Sequence, residues 1–138
     1  IKIILFLSLG IAGAFLYDHF IIGSGNHPVE RIDIKEASKF YEQHDALFID
    51  ARDVSFYTRE RIAEALSLPY PKRDHWREQL ADVAFEQTLI IYCGSEICSL
   101  SASLGEYLQN QGFNHVYVLS GGIDAWREQG LPLVTAAN

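Results

Sequence analysis

Cys93 and Cys98 are the only cysteines among 138 residues, and they stand five positions apart. Two are too few for a disulfide scaffold, which leaves chemistry or plain packing as their use. A thiol becomes a nucleophile where its surroundings favour the thiolate, as a helix N-terminus or a tight loop of backbone N–H groups does. Cys93 directly follows the apolar run Thr88-Leu89-Ile90-Ile91-Tyr92, and Gly94-Ser95-Glu96-Ile97-Cys98-Ser99 separates it from an amphipathic stretch. A strand end, a short loop and a helix start should therefore surround it. The loop amides would form an anion-binding nest, and the helix dipole would add about half a positive charge. Gly94 admits a close backbone approach, and Ser99 is placed to cap the helix. The competing reading makes Cys93 a small residue of the core. A second thiol across the loop is seldom needed for packing, which favours the nucleophile. Neither a further Cys nor a His adjoins the pair, so zinc would find an incomplete ligand set and a Cys–His dyad is unsupported. No metal and no cofactor are expected.

The elements that must position these thiols can be read from hydrophobic pattern. Ala46-Leu47-Phe48-Ile49-Asp50, Thr88-Leu89-Ile90-Ile91-Tyr92 and His115-Val116-Tyr117-Val118-Leu119 are near-continuous apolar runs, as strands covered on both faces require. Ile32-Asp33-Ile34 reads as a short first strand or turn. Asp33 can cap the helix after it, with Glu36 completing the box and Ile32 stapling against Ala37. Leu100, Leu104, Tyr107, Leu108 and Gln111 share one helical face, and Gly112 stops that helix. Residues Lys72 to Phe85 are expected to be helical, apolar at Trp76, Leu80, Val83 and Ala84. A last helix runs from Ile123 to Gln129, before Gly130 and Pro132. Strands alternating with helices predict an α/β domain with right-handed crossovers. Ligands of such sheets bind beyond the carboxyl ends of the strands, where Cys93 falls.

Composition divides the chain. Residues 1–22 hold sixteen apolar residues, one Lys and one Asp, whereas residues 23–138 carry the whole net charge of −7. At ~1.5 Å per residue a helix of this length spans the ~30 Å of bilayer hydrocarbon. Lys2 at one end and Asp18 and His19 near the other would reach the interfaces. The expected organisation is a single transmembrane helix at 1–22, a Gly/Ser-rich linker at 23–29 and one α/β domain at 30–138. Ala12-Gly13-Ala14 offers a signal-peptidase-like site, but the apolar residues beyond it favour retention as an anchor. With no methionine in the sequence, residues upstream of Ile1 are expected. Lys2 and the positive-inside rule place the protein in the membrane as a single-pass chain with its domain on the extracytoplasmic (periplasmic) side. An acidic domain without a Lys/Arg cluster argues against nucleic acid as a partner.

Three segments together resemble a rhodanese homology domain. Leu47-Phe48-Ile49-Asp50-Ala51-Arg52 is similar to the family's strand followed by D-x-R. Ile90-Ile91-Tyr92-Cys93 with its loop is similar to the active-site strand and loop. Leu119-Ser120-Gly121-Gly122-Ile123-Asp124-Ala125-Trp126, then Gly130-Leu131-Pro132, is similar to the C-terminal signature. The resemblance runs from about Ile32 to Leu133 and implies a five-stranded parallel sheet flanked by helices. It also implies a single-domain sulfurtransferase, here preceded by a membrane segment. Cys93 would accept sulfane sulfur from a small donor as a persulfide and pass it to a thiol acceptor. The amides of Gly94, Ser95, Glu96, Ile97 and Cys98 would stabilise the outer sulfur, with Ser99 closing the loop. Asp50 and Arg52 would shape the floor of the site, the alternative for Arg52 being a surface salt bridge. Gly121 and Gly122 would serve the strand-to-helix turn, and Trp126 the core.

The departures from the family pattern matter as much. Cys98 stands where the family loop commonly ends in Arg, and Glu96 brings an acid into the loop. Losing a cation and gaining an acid should weaken binding of a dianion such as thiosulfate. The G-H-I-x-G-A stretch is represented by Glu60-Arg61-Ile62-Ala63-Glu64-Ala65, with both glycines replaced. Phosphatase chemistry on a Cys-x5-Arg loop is excluded, because no arginine lies between Arg77 and Arg127. Cys98 can resolve a Cys93 persulfide or an oxidised Cys93 by thiol exchange, or simply pack at the helix start. The expected function is thus a membrane-anchored sulfurtransferase or persulfide carrier, with the lipid bilayer as a partner through residues 1–22. A thiol–disulfide redox partner using Cys93 and Cys98 is one alternative. A non-catalytic module docking a membrane protein is the other.

Overall fold

A strand buried on both faces needs apolar side chains at successive positions, and three such runs organise the molecule. The structure is a computed structural model that describes residues 27–136. In chain order its elements are β1 (Glu30–Ile32), α1 (Ile34–Glu42), β2 (Ala46–Asp50), α2 (Val54–Arg59), β3 (Glu60–Ile62), β4 (Leu66–Ser67), a 3-10 segment (Tyr70–His75), α3 (Trp76–Gln79), β5 (Thr88–Tyr92), α4 (Leu100–Asn110), β6 (Val116–Leu119), α5 (Gly122–Glu128) and β7 (Leu133–Thr135). Five strands form one sheet in the order β1-β6-β5-β2-β4, and every neighbouring pair is parallel. The fold class is the expected one. A separate antiparallel ribbon pairs β3 with β7, Ile62 lying opposite Leu133.

Alternation along β5 builds two cores. Leu89 and Ile91 point to the face covered by Trp76 and Leu80 around α3 and by Leu104 and Leu108 of α4. Ile90 and Tyr92 point to the other face, against Ala37 of α1 and Ile123 and Trp126 of α5. The Trp126 ring meets Phe48 and Tyr41 edge-on with centroids 5.2 Å apart, and its indole N–H donates to Pro132 O at 3.0 Å. Trp126 is therefore a core residue whose one polar atom is satisfied.

The helix caps follow local chemistry. Asp33 accepts from Glu36 N at 2.8 Å and starts α1, with Ile32 and Ala37 in the same core cluster. The segment Lys72 to Phe85 departs from expectation. Its first turns are 3-10, Lys72 has non-helical backbone angles, and only Trp76–Gln79 is α-helical. A four-residue helix is too short to hold itself by its own hydrogen bonds. Packing of Trp76 and Leu80 against the sheet holds it instead. The expected anchor at 1–22 lies outside the described residues. Among those described, no helix is long and apolar enough to cross a membrane.

Candidate active site

The sheet register sets the site. Asp50 ends β2 beside Tyr92, the end of β5, and Ala51 N donates to Tyr92 O at 3.0 Å. The chain continues from those two adjacent ends into Arg52 and Cys93. Both side chains therefore border one cleft of about 470 Å³ beyond the strand ends. Cys93, Gly94 and Cys98 line it, together with apolar Phe56, Leu100 and Ile123 and polar Arg52, Asp53, Asp124 and Arg127.

Cys93 is 3% exposed and is joined to Cys98 in a disulfide, with their Cα atoms 6.1 Å apart. That spacing lies within the range a disulfide tolerates without moving backbone. Backbone hydrogen bonds hold both ends of the loop. Cys98 N donates to Ser95 O at 3.2 Å, while Cys93 O and Gly94 O accept from Ile123 N at 2.9 Å and Asp124 N at 3.1 Å. The first turn of α5 is thus fastened onto the exit of β5. Gly122 makes this possible: its φ is +57°, and a Cβ there would lie 2.5 Å from Cys93 O. Gly121 and Gly122 serve the turn, as the sequence suggested.

The loop differs from expectation in four respects. Of its five amides, Cys98 N is used by the turn, whereas those of Gly94, Ser95, Glu96 and Ile97 have no protein acceptor among the described residues. The Glu96 carboxylate does not add charge to the cleft. It accepts from Arg31 Nη2 at 3.1 Å and also from Gly121 N, so it lies toward β1 and the start of α5. Ser99 occupies the cap position of α4 in an αR conformation, and its hydroxyl makes no cap bond. Ser95, Glu96, Ile97 and Ser99 are absent from the cleft walls, and Ile97 stands 95% exposed at the loop tip.

Asp50 is fully buried and Arg52 is 8% exposed, so their pair is no surface salt bridge. The Asp50 carboxylate accepts from Arg52 N and Nε at 3.0 Å and from Nη2 at 2.7 Å, and Nη2 also donates to Glu60 O at 2.7 Å. Burial pulls the guanidinium pKa down, but Asp50 outweighs it and the net shift is upward. Tyr92 beside them is held as the neutral phenol, first by burial and then by the nearby Asp50 charge. Its hydroxyl accepts from Ile62 N at 3.2 Å, which ties β3 to the sheet.

Sequence reasoning missed the opposite wall. Arg127 donates to Asp124 Oδ1 at 2.7 Å and to both carboxylate oxygens of Glu60, through Nε at 3.1 and 3.4 Å. That hydrogen bonding holds Glu60 below the usual carboxyl range and raises Arg127 above its own. The i, i+3 spacing of Asp124 and Arg127 was a visible signal, but Glu60 is 67 positions away. The two arginines of the cleft are thus both committed to carboxylates, so the cleft offers an anion no unpaired cation among the described residues. The chemistry this arrangement supports is thiol chemistry at Cys93, in a small and partly apolar cleft, with a second thiol in bonding distance.

The Rhodanese-like domain family matches residues 33–129. A thiosulfate sulfurtransferase GlpE of Vibrio cholerae is 31% identical over 116 residues, covering 84% of this chain and 96% of its own. One of Coxiella burnetii is 35% identical over 98 residues, covering 71% and 87%. In fold, the BH2092 protein of Bacillus halodurans matches with a TM-score of 0.70 at 22% identity, over 89% of this chain and 86% of that one.

Proposed function

The chain belongs to the rhodanese-like domain family, and on that premise we propose that it is a sulfurtransferase in which Cys93 takes up sulfane sulfur and hands it to a thiol. Support for the nucleophile comes from one observation above others: Cys93 sits at the exit of β5, lines the cleft, and starts a loop in which the amides of Gly94, Ser95, Glu96 and Ile97 lack a protein acceptor. In the reduced chain the Cys93 thiolate attacks the outer sulfur of a donor such as thiosulfate. A bond forms between the two sulfurs, the donor's S–S bond breaks, and sulfite departs with its electron pair. The persulfide carries one negative charge, for which backbone N–H groups are suitable partners. An acceptor thiolate then attacks the outer sulfur and releases Cys93 as thiolate. Asp50 and Arg52 hold the shape of the neighbouring strand exit. The names of the relatives favour thiosulfate as donor. The committed arginines argue that this dianion is bound weakly. Residues 1–22 complete the reading as a single-pass anchor in the lipid bilayer, with the domain on the extracytoplasmic side, supported by sixteen apolar positions and by Lys2.

The test is sulfite release. Pre-reduced chain mixed with thiosulfate should release one sulfite per chain in a single turnover, and Cys93→Ser none. Equal release by Cys93→Ser, or none by the wild type, overturns the proposal. The Cys93–Cys98 bond favours a second reading, disulfide exchange with a partner thiol and no sulfur movement. A chain that exchanges disulfides with a dithiol yet releases no sulfite would establish it.

A further inference from the structure

We infer that Cys98 is an internal acceptor, which converts the Cys93 persulfide into hydrosulfide and a Cys93–Cys98 disulfide, so that the chain also works as a sulfide-releasing enzyme driven by an external dithiol. The inference rests on the sulfurtransferase reading and extends it to the fate of the sulfur.

Three observations carry it. The two sulfurs are within bonding distance, on backbones with Cα atoms 6.1 Å apart. Both cysteines border the same cleft, so the second thiol stands where the persulfide is made. Backbone bonds from α5 to Cys93 O and Gly94 O, and from Cys98 N to Ser95 O, fix both ends of the loop independently of the sulfurs. A thiol held there meets the inner sulfur of a persulfide on Cys93. The Cys98 sulfur forms a bond to Cys93 Sγ, and the bond from Cys93 Sγ to the sulfane sulfur breaks. The departing sulfur takes the electron pair and the Cys98 proton and leaves as hydrosulfide. The two cysteines are oxidised and the sulfane sulfur is reduced, so the step needs no outside oxidant. Resetting the chain needs a dithiol, which becomes a disulfide as both cysteines return to thiols. Cys98 is half-buried and Cys93 almost inaccessible, so the dithiol attacks Cys98 Sγ and Cys93 departs as thiolate. That direction also returns the nucleophile in its reactive form.

Pre-reduced chain, freed of reductant under anaerobic conditions, is given one equivalent of thiosulfate, and sulfite, hydrosulfide and intact mass are measured. Wild type should release one sulfite and one hydrosulfide per chain and finish two hydrogens lighter than the reduced chain. Cys98→Ser should release sulfite, retain one sulfur in its mass and lose hydrosulfide release. Adding dithiothreitol together with excess thiosulfate should then give wild type repeated turnovers. A wild type that releases sulfite but keeps the added sulfur overturns the inference and leaves the sulfurtransferase reading standing. Absence of sulfite overturns that reading instead. The wild-type stoichiometry decides the matter even where Cys98→Ser does not fold.

Discussion

Residue 98 shows how one side chain changes the balance of a site whose backbone is otherwise set. Arginine there would add an unpaired cation to a cleft whose two arginines are already held by Asp50, Glu60 and Asp124. A charge-assisted hydrogen bond contributes about 1.5–3 kcal/mol, so Cys98→Arg should lower the KM for thiosulfate by roughly tenfold or more. Steady-state sulfite release checks it, and an unchanged KM would refute this account of the loop's charge. At this scale the sequence was legible where chemistry resides in residue type: a thiol after an apolar run, a second thiol five places on, an Asp two places before an Arg. It was not legible where a partner is distant. Glu96 reads as an acid in the loop until Arg31, 65 positions away, is seen to donate to its carboxylate. Ser99 reads as a cap until its backbone is seen to be helical already.

Among the elements, β3 and α5 are joined side by side through Glu60 and Arg127, and Arg127 carries this junction to the wall of the cleft. The Arg127 hydrogen bonds hold the Glu60 carboxyl below its ordinary value. A carboxyl depressed in the folded state contributes stability above its unfolded pKa of about 4.3, and loses it as pH falls through the folded value. Glu60→Gln should therefore be less stable than wild type at neutral pH, with the gap closing below about pH 4. Urea midpoints across the acid range measure this, and a gap that persists at low pH would show that Glu60 acts by something other than its charge. The same stretch explains why the loop after α2 resisted sequence reading. Glu64 keeps a left-handed backbone, φ +66°, although it carries a side chain, so the turn survives where the family pattern has glycine. The central strands were legible as long apolar runs. Strands of two or three residues, such as β4 and the β3–β7 ribbon, are too short to show a period at all.

At the scale of the whole molecule, residues 27–136 form a sheet with a separate core on each face, and the site beyond its strand ends depends on the smaller one. Trp126 lies at the centre of that core, between Phe48 of β2 and Tyr41 of α1, on the helix whose first turn holds the Cys93 and Gly94 carbonyls. Trp126→Ala should lower stability by about 3–5 kcal/mol, the usual range for truncating a large buried aromatic. Sulfite release should fall with it at temperatures where the chain is still folded, because α5 then fastens the loop less firmly. A loss of stability under about 1 kcal/mol in urea unfolding would show that this core repacks around the gap. The fold class was visible in the order of runs and turns. The cleft walls were not, because three separate stretches of chain, 52–56, 93–100 and 123–127, supply them and only the register brings those stretches together.

The Arg31–Glu96 contact, with the Gly121 amide beside it, fastens the middle of the loop whose ends are already tied down. A loop held at three points keeps its two thiols at high effective concentration even when nothing joins them. Breaking the disulfide then releases little chain entropy, and closing it again is fast. Any outside thiol seeking the sulfane sulfur is therefore in a race against the loop, and its own concentration decides whether sulfur leaves as a persulfide or as sulfide. Because that fastening is an exposed ion pair, dissolved salt loosens it and gives the outside thiol more time.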